Sequence, residues 1–148
     1  MSAGERRLVV SIALLALLGL AVAGYLTYIH YADVKPLCLS GNGGCEKVQA
    51  SSYSKLAGIP VALLGLIGYA TLLASLLVRS DAGRLAGALV ALVGCGFSAY
   101  LTYREVFTIE AICQWCVVSG VLMTALAVLT TVRLLRPEPD QGGGVPGY

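Results

Sequence analysis

The sequence predicts an all-α integral membrane protein: a four-helix bundle with a long extracytoplasmic first loop that contains a half-helix. Three features predict it: scarce charge, four apolar runs of spanning length, and two cysteine pairs gathered at one end of those runs. Of 148 residues, 57% are hydrophobic and only 12% charged, whereas an ordinary soluble domain carries about 25% charged residues. A buried soluble bundle is excluded, because too little polar surface remains to cover it. The lipid bilayer is the expected surrounding, and no nucleic-acid partner is expected.

Crossing a hydrocarbon core takes about 20 mostly apolar residues per helix. The first run, Leu8–Ile29, follows Arg6 and Arg7, which resemble the charged start of a secretion signal. The run is longer than a signal core and ends at Tyr25, Tyr28 and Tyr31, residues typical of a membrane interface, so a retained helix is expected. The second, Gly58–Val78, has Pro60 within its first turn, where a missing N–H costs little. The third, Leu85–Phe107, carries Arg104 and Glu105 only in its last turn, where long side chains are expected to reach the headgroups. The fourth, Ile112–Leu135, has no charge before Arg133. Small residues recur at Gly19/Ala23, Gly65/Gly68 and Gly83/Gly87, which fits close helix approach and ordinary membrane-helix composition alike. One redox domain over residues 1–136 is expected, and the Pro- and Gly-rich stretch 137–148 reads as a disordered tail.

Four spans put both termini on one side. Arg6, Arg7, Arg79, Arg84, Arg133 and Arg136 fall there, against Lys35, Lys47, Lys55 and Arg104 opposite. That excess favours cytoplasmic termini in the inner or plasma membrane, with the long loop, about Tyr31–Ala57, outside. The chain also echoes itself: Gly24-Tyr25-Leu26-Thr27-Tyr28 matches Ala99-Tyr100-Leu101-Thr102-Tyr103, and the same offset carries Cys38 onto Cys113. The echo predicts that the first and third spans run parallel.

Cys113-Gln114-Trp115-Cys116 opens the fourth span as a C-x-x-C pair. At a helix N-terminus the dipole and free N–H groups favour a thiolate, a better leaving group for reversible exchange. Cys116 lies one turn deeper than Cys113, so one thiol faces the loop and the other a lipid-soluble partner. Alone, the pair fits a zinc site, a structural disulfide or chance equally. Cys38 and Cys45 enclose a glycine-rich segment that folds back at little closure cost and swings once the bond opens. Alone, that pair fits a structural bridge or a shuttle. Together the pairs form a relay. A soluble dithiol reduces the loop disulfide, a loop thiolate attacks the C-x-x-C disulfide, and Cys116 delivers electrons to a quinone. The extracytoplasmic face suits such chemistry, because disulfides persist there. No haem, iron–sulfur or nucleotide motif is present as another acceptor.

This pattern resembles the vitamin K epoxide reductase family, in its bacterial thiol-oxidising branch. The resemblance covers about Leu8 to Leu135. It rests on Cys38…Cys45, Ser51, the Gly58-Ile59-Pro60 entry to the second span, and Cys113-Gln114-Trp115-Cys116. It implies that Cys38 and Cys45 exchange with a thioredoxin-like partner and that Cys116 faces the quinone, menaquinone or ubiquinone. It also implies that Ser51 is a polar neighbour of the redox centre, on a half-helix within Glu46–Ala57 whose inward face offers Val48, Ser51, Ser52 and Leu56. Gly120 and Val61 stand where vertebrate members carry a Tyr and an Asn at the headgroup. The resemblance therefore puts these positions, with Cys116, at the quinone and implies no epoxide reductase activity. Many bacterial relatives carry a fused thioredoxin-like domain that is not seen here, so a separate DsbA-like or thioredoxin-like partner is expected. Cys38 is the expected partner-facing thiol and Cys45 the relay thiol.

Among the remaining residues, Trp115 fits a wall of the quinone site and an interface marker alike. His30, within the Tyr cluster, reads as a polar anchor, and Cys95 as a small packing residue. Three other readings stand beside the relay. A DsbB-like oxidase does nearly the same reaction but places its C-x-x-C before the wider pair. A four-thiolate zinc site more often uses two compact hooks than a pair as wide as Cys38/Cys45. A scaffold with structural disulfides is the third.

Overall fold

Ser2 starts the first helix by accepting the Glu5 N–H on its hydroxyl oxygen at 3.2 Å. Helix α1 runs from Ala3 to Ala32 and stops where Asp33 turns left-handed, its N–H closing on the Ile29 carbonyl. The computed structural model describes residues 2–35, 37, 44–50, 52 and 55–136, and the side chains of Cys45, Glu46 and Gln49 are outside that set. Cys38, Ser51 and the tail 137–148 lie outside the described residues. A short helix α2, Gly44–Ala50, is followed by strands β1, Lys55–Leu56, and β2, Ile59–Pro60. Helix α3 spans Val61–Leu77, and α4 spans Asp81–Arg104 and passes into a π-helical turn at Glu105–Ile109. Helix α5, Gln114–Leu135, closes the fold.

Three of these helical stretches, Ala3–Ala32, Asp81–Ile109 and Gln114–Leu135, are long and apolar enough to cross a membrane. Helix α3 is apolar but has 17 residues, about 26 Å at 1.5 Å per residue. The outward faces of the bundle are apolar, with Leu14, Leu18, Val93, Val121 and Val128 all exposed, as a lipid-facing surface requires. Tyr28, Tyr31, Tyr100, Tyr103 and Phe107 are exposed near the C-terminal ends of α1 and α4, and form an aromatic belt at one end. His30 sits within that belt, edge-on to Tyr31 at 5.5 Å between ring centres.

The helices form a ring in which α1 and α4 each pack against α3 and α5. Their shared core is built from Ile12, Ala16, Tyr69, Leu72, Ala91 and Leu126. Tyr69 is wholly buried, and its hydroxyl donates to the Ser119 carbonyl at 2.9 Å, which ties α3 to α5. The ring lies against Gly19 of α1, where any Cβ would overlap it. The threonines at 27, 71, 102 and 124 each donate back to the carbonyl four residues earlier. Their hydroxyls are thereby satisfied without water, as hydrocarbon surroundings demand. Thr27 and Thr102 do so at matching places in the repeated Tyr-Leu-Thr-Tyr segment.

At the end opposite the belt, Glu5 accepts from Arg84 at 3.1 Å and from Arg133 at 3.5 Å, with all three side chains buried. The starts of α1 and α4 therefore share one end with the finish of α5. Helices α1 and α4 run parallel, as the internal echo predicts. Cys95 also behaves as a packing residue: it abuts the core cluster, and its sulfur lies 3.6 Å from the Thr124 hydroxyl.

Two expectations need correction. The sequence predicts a half-helix over Glu46–Ala57, but the described residues hold a helix ending at Ala50 and, from Lys55, a two-stranded hairpin. Ala57 and Gly58 both take positive φ, 53° and 83°, which makes the tight turn of the hairpin and is incompatible with a helix running on to Ala57. Of the residues offered for its inward face, Val48 is buried, whereas Ser52 and Leu56 are exposed. Pro60 accordingly sits in β2 and precedes α3 rather than lying in its first turn. The second correction concerns Glu105, which does not reach outward to the headgroups. It is 3% exposed and turned into the protein, because it falls on the same helical face as the buried Ala91 of α4.

Gly19→Val is expected to lower the thermal midpoint in detergent, at a cost of about 1–3 kcal/mol from forcing the Tyr69 ring aside. Gly68→Ala, where a Cβ meets nothing within 4 Å, should leave the midpoint unchanged or raise it. Thermal unfolding followed by circular dichroism checks both.

Candidate active site

The site is built at the N-terminus of α5. Cys113 is its N-cap, with extended backbone angles of φ −92° and ψ 116°, and it is completely buried. Its carbonyl accepts the Val117 N–H at 3.0 Å, which starts the helix. The approach to this point is controlled by Glu105. Its backbone carbonyl accepts the N–H groups of Glu110, which is left-handed at φ 55°, and of Ala111 at 3.1 Å. Its carboxylate Oε2 accepts the Cys113 N–H at 3.3 Å. One residue thus holds both ends of the link between α4 and α5. The same carboxyl lies beside the thiol of Cys116, which in turn is next to Cys113.

Two further chain segments converge on this helix end. Leu37, the residue before Cys38, has its N–H donated to the Tyr25 hydroxyl at 3.0 Å and its carbonyl accepting from the Trp115 indole at 2.8 Å. The Tyr25 and Trp115 rings pack at 5.2 Å, so α1 and α5 together clamp the backbone of Leu37. On the other side, Gly44, the residue before Cys45, lies so close to the Ile112 carbonyl that a Cβ there would come within 2.6 Å of it. Val48 of α2 packs against Cys113, with Ala111, Trp115 and Cys116 around them.

The residues singled out in the sequence therefore fall into three groups. Cys113, Cys116 and Trp115 are together, and the backbone of Cys45 belongs to α2 beside them. Cys116 packs with Trp115 and Ala62 against Val22, Leu26 and Ile29. Val61, next to Ala62, lines an apolar groove of about 460 Å³ between α3 and α4, with Leu64, Gly68, Val93, Phe97 and Met123. Gly120 is one turn deeper than Cys116 and faces Ser98 of α4. Neither Cys116 nor Gly120 lines that groove. Cys38 and Ser51, with the side chain of Cys45, are outside the described residues.

Sequence reasoning gave no site role to Tyr25 or Glu105. Tyr25 was indistinguishable from the interfacial tyrosines around it. Glu105 carried a usable signal, an ionisable group within an otherwise apolar span, which in a membrane protein points to function.

Fold and site together define a helical membrane protein with a C-x-x-C pair at the mouth of its last helix. Residues 10–131 match the model of the Vitamin K epoxide reductase family, and the chain belongs to that family. Membership carries membrane thiol–quinone oxidoreductase chemistry in general.

Trp115→Phe removes the donor to the Leu37 carbonyl while keeping an aromatic ring. Hydrogen–deuterium exchange at residues 34–37 should speed up by about tenfold, the equivalent of one hydrogen bond of about 1–1.5 kcal/mol, with the α4 and α5 amides unchanged.

Proposed function

We propose that this protein is a membrane thiol:quinone oxidoreductase that reoxidises a thioredoxin-like or DsbA-like partner and so supports disulfide bond formation. Cys38 and Cys45 take electrons from the partner's dithiol, Cys38 meeting the partner and Cys45 attacking Cys113. Cys116 then passes the electron pair to a menaquinone or ubiquinone. The observation that carries this reading is the convergence on the first turn of α5: Leu37 and Gly44, the residues just before Cys38 and Cys45, both pack there.

The environment of each thiol supports its role. Cys113, at the helix N-terminus, is on the side of the loop, where a thiolate gains from the dipole and exchange is fast. Cys116 is set among Val22, Leu26, Ile29 and Ala62, an apolar setting suited to a quinone ring. The groove that begins at Val61 has the apolar lining an isoprenoid tail needs. Trp115 and Gly120 complete the quinone side of this proposal, and Ser51, at the exit of α2, is the polar neighbour of the redox centre. The working domain is residues 1–136, with α3 as the fourth span, the termini in the cytoplasm, and both cysteine pairs at the outer face. The aromatic belt at the cysteine end and the Glu5–Arg84–Arg133 cluster at the other fit that orientation.

The test is quinone reduction followed by absorbance in detergent, with a reduced DsbA-like protein as donor. Wild type should turn over, and Cys116→Ala and Cys113→Ala should abolish turnover while keeping the helical signal. Undiminished turnover in Cys116→Ala, or none by wild type with either quinone, would contradict the proposal.

A further inference from the structure

The relay moves protons as well as electrons, and the C-x-x-C lies at the edge of hydrocarbon. Oxidation of two thiols to a disulfide releases two protons, and reduction of a quinone to a quinol takes up two. Among the described side chains, a carboxyl, that of Glu105, sits beside the C-x-x-C. Glu105 is 3% exposed, accepts the Cys113 N–H at 3.3 Å, and lies beside the Cys116 thiol.

Capping Cys113 does not account for the acid. A Gln at 105 would accept the same N–H without bringing a charge into an apolar span, where ionisable groups are costly and mark function. Among the described side chains, the other charged groups on these elements have surroundings of their own. Arg104 holds its guanidinium over the Tyr100 ring at 5.3 Å, while Glu110 and, on α2, Lys47 are exposed. Glu105 points inward because it continues the buried face of α4 marked by Ala91.

We infer that Glu105 is a further catalytic residue, the proton acceptor for the Cys116 thiol during quinone reduction; this rests on the thiol–quinone reading above. In the reduced protein, Glu105 takes the proton as the Cys116 S–H bond breaks. The Cys113–Cys116 S–S bond then forms, and the electron pair released by the two sulfurs passes to the quinone. The proton held on Glu105 and the one from Cys113 end on the two quinol oxygens, and Glu105 returns to the carboxylate. Two thiols become one disulfide, one quinone becomes one quinol, and two electrons and two protons are transferred.

Single-turnover quinone reduction by the pre-reduced protein, measured across pH, tests this. Glu105→Gln should slow the step by about 100-fold or more, the usual range for losing a general base, with the KM for quinone unchanged. Glu105→Asp, which keeps an acid, should recover part of the rate. Wild-type rates in Glu105→Gln would overturn the inference. A quinone-free arm separates this failure from failure of the proposed function. In it, the Cys113–Cys116 disulfide is reduced by dithiothreitol across pH, with Glu105→Asp standing in if the Gln variant loses its helical signal. A titration step present in wild type, kept in shifted form by Asp and lost in Gln, supports the proton link even if no quinone is reduced. Superimposable profiles overturn it.

Discussion

The hydrogen bond from the Cys113 N–H to the Glu105 carboxylate is the contact on which the rest of the site depends. It fixes where α5 begins, and hence which thiol lies at the helix mouth and which lies a turn deeper. A helix start at the edge of a bilayer leaves N–H groups that water reaches poorly, so they need partners from the protein itself. Glu105 supplies one from its side chain, and its backbone carbonyl gathers the N–H groups of Glu110 and Ala111. The link between α4 and α5 is therefore short and held at Glu110, Ala111 and Cys113. Against this fixed point the first loop is anchored twice, by the Tyr25–Trp115 clamp on Leu37 and by the close seat of Gly44 on Ile112.

The remainder of the bundle keeps that end in place with the means lipid allows. Apolar contact alone gives helices little reason to associate in hydrocarbon, so close packing and internal hydrogen bonds become important. Gly19 admits the Tyr69 ring between α1 and α3, and the Tyr69 hydroxyl reaches Ser119 on α5. The far end is closed by Glu5 between Arg84 and Arg133, which joins α1, α4 and α5. Breaking such a pair by removing one partner is costlier than the pair is stabilising, since it leaves a buried charge uncompensated. The two ends thus differ in chemistry: ion pairs at one, and thiols, aromatic rings and a carboxyl at the other.

Much of this was legible in the sequence. The apolar runs located the helices, the repeated Tyr-Leu-Thr-Tyr segment gave the parallel course of α1 and α4, and Cys113-Gln114-Trp115-Cys116 marked the start of α5. What escaped depended on backbone geometry or distant partners. The hairpin at Ala57–Gly58 requires two positive φ angles, one of them at an alanine, which composition does not announce. Glu105 falls on the helical face of the buried Ala91, but its partner, the Cys113 N–H, comes from the next helix. Tyr25 looks like any interfacial tyrosine until Trp115, ninety residues on, is found packed against it.

The central claim is that the loop cysteines and the C-x-x-C exchange disulfides at the mouth of α5. Disulfide mapping by mass spectrometry on the Cys116→Ala protein, purified under oxidising conditions, addresses it most directly. With its resolving thiol gone, Cys113 should be found joined to a loop cysteine, Cys45 in the assignment made here. A Cys113 that stays a thiol while Cys38 and Cys45 remain bridged to each other would contradict the account.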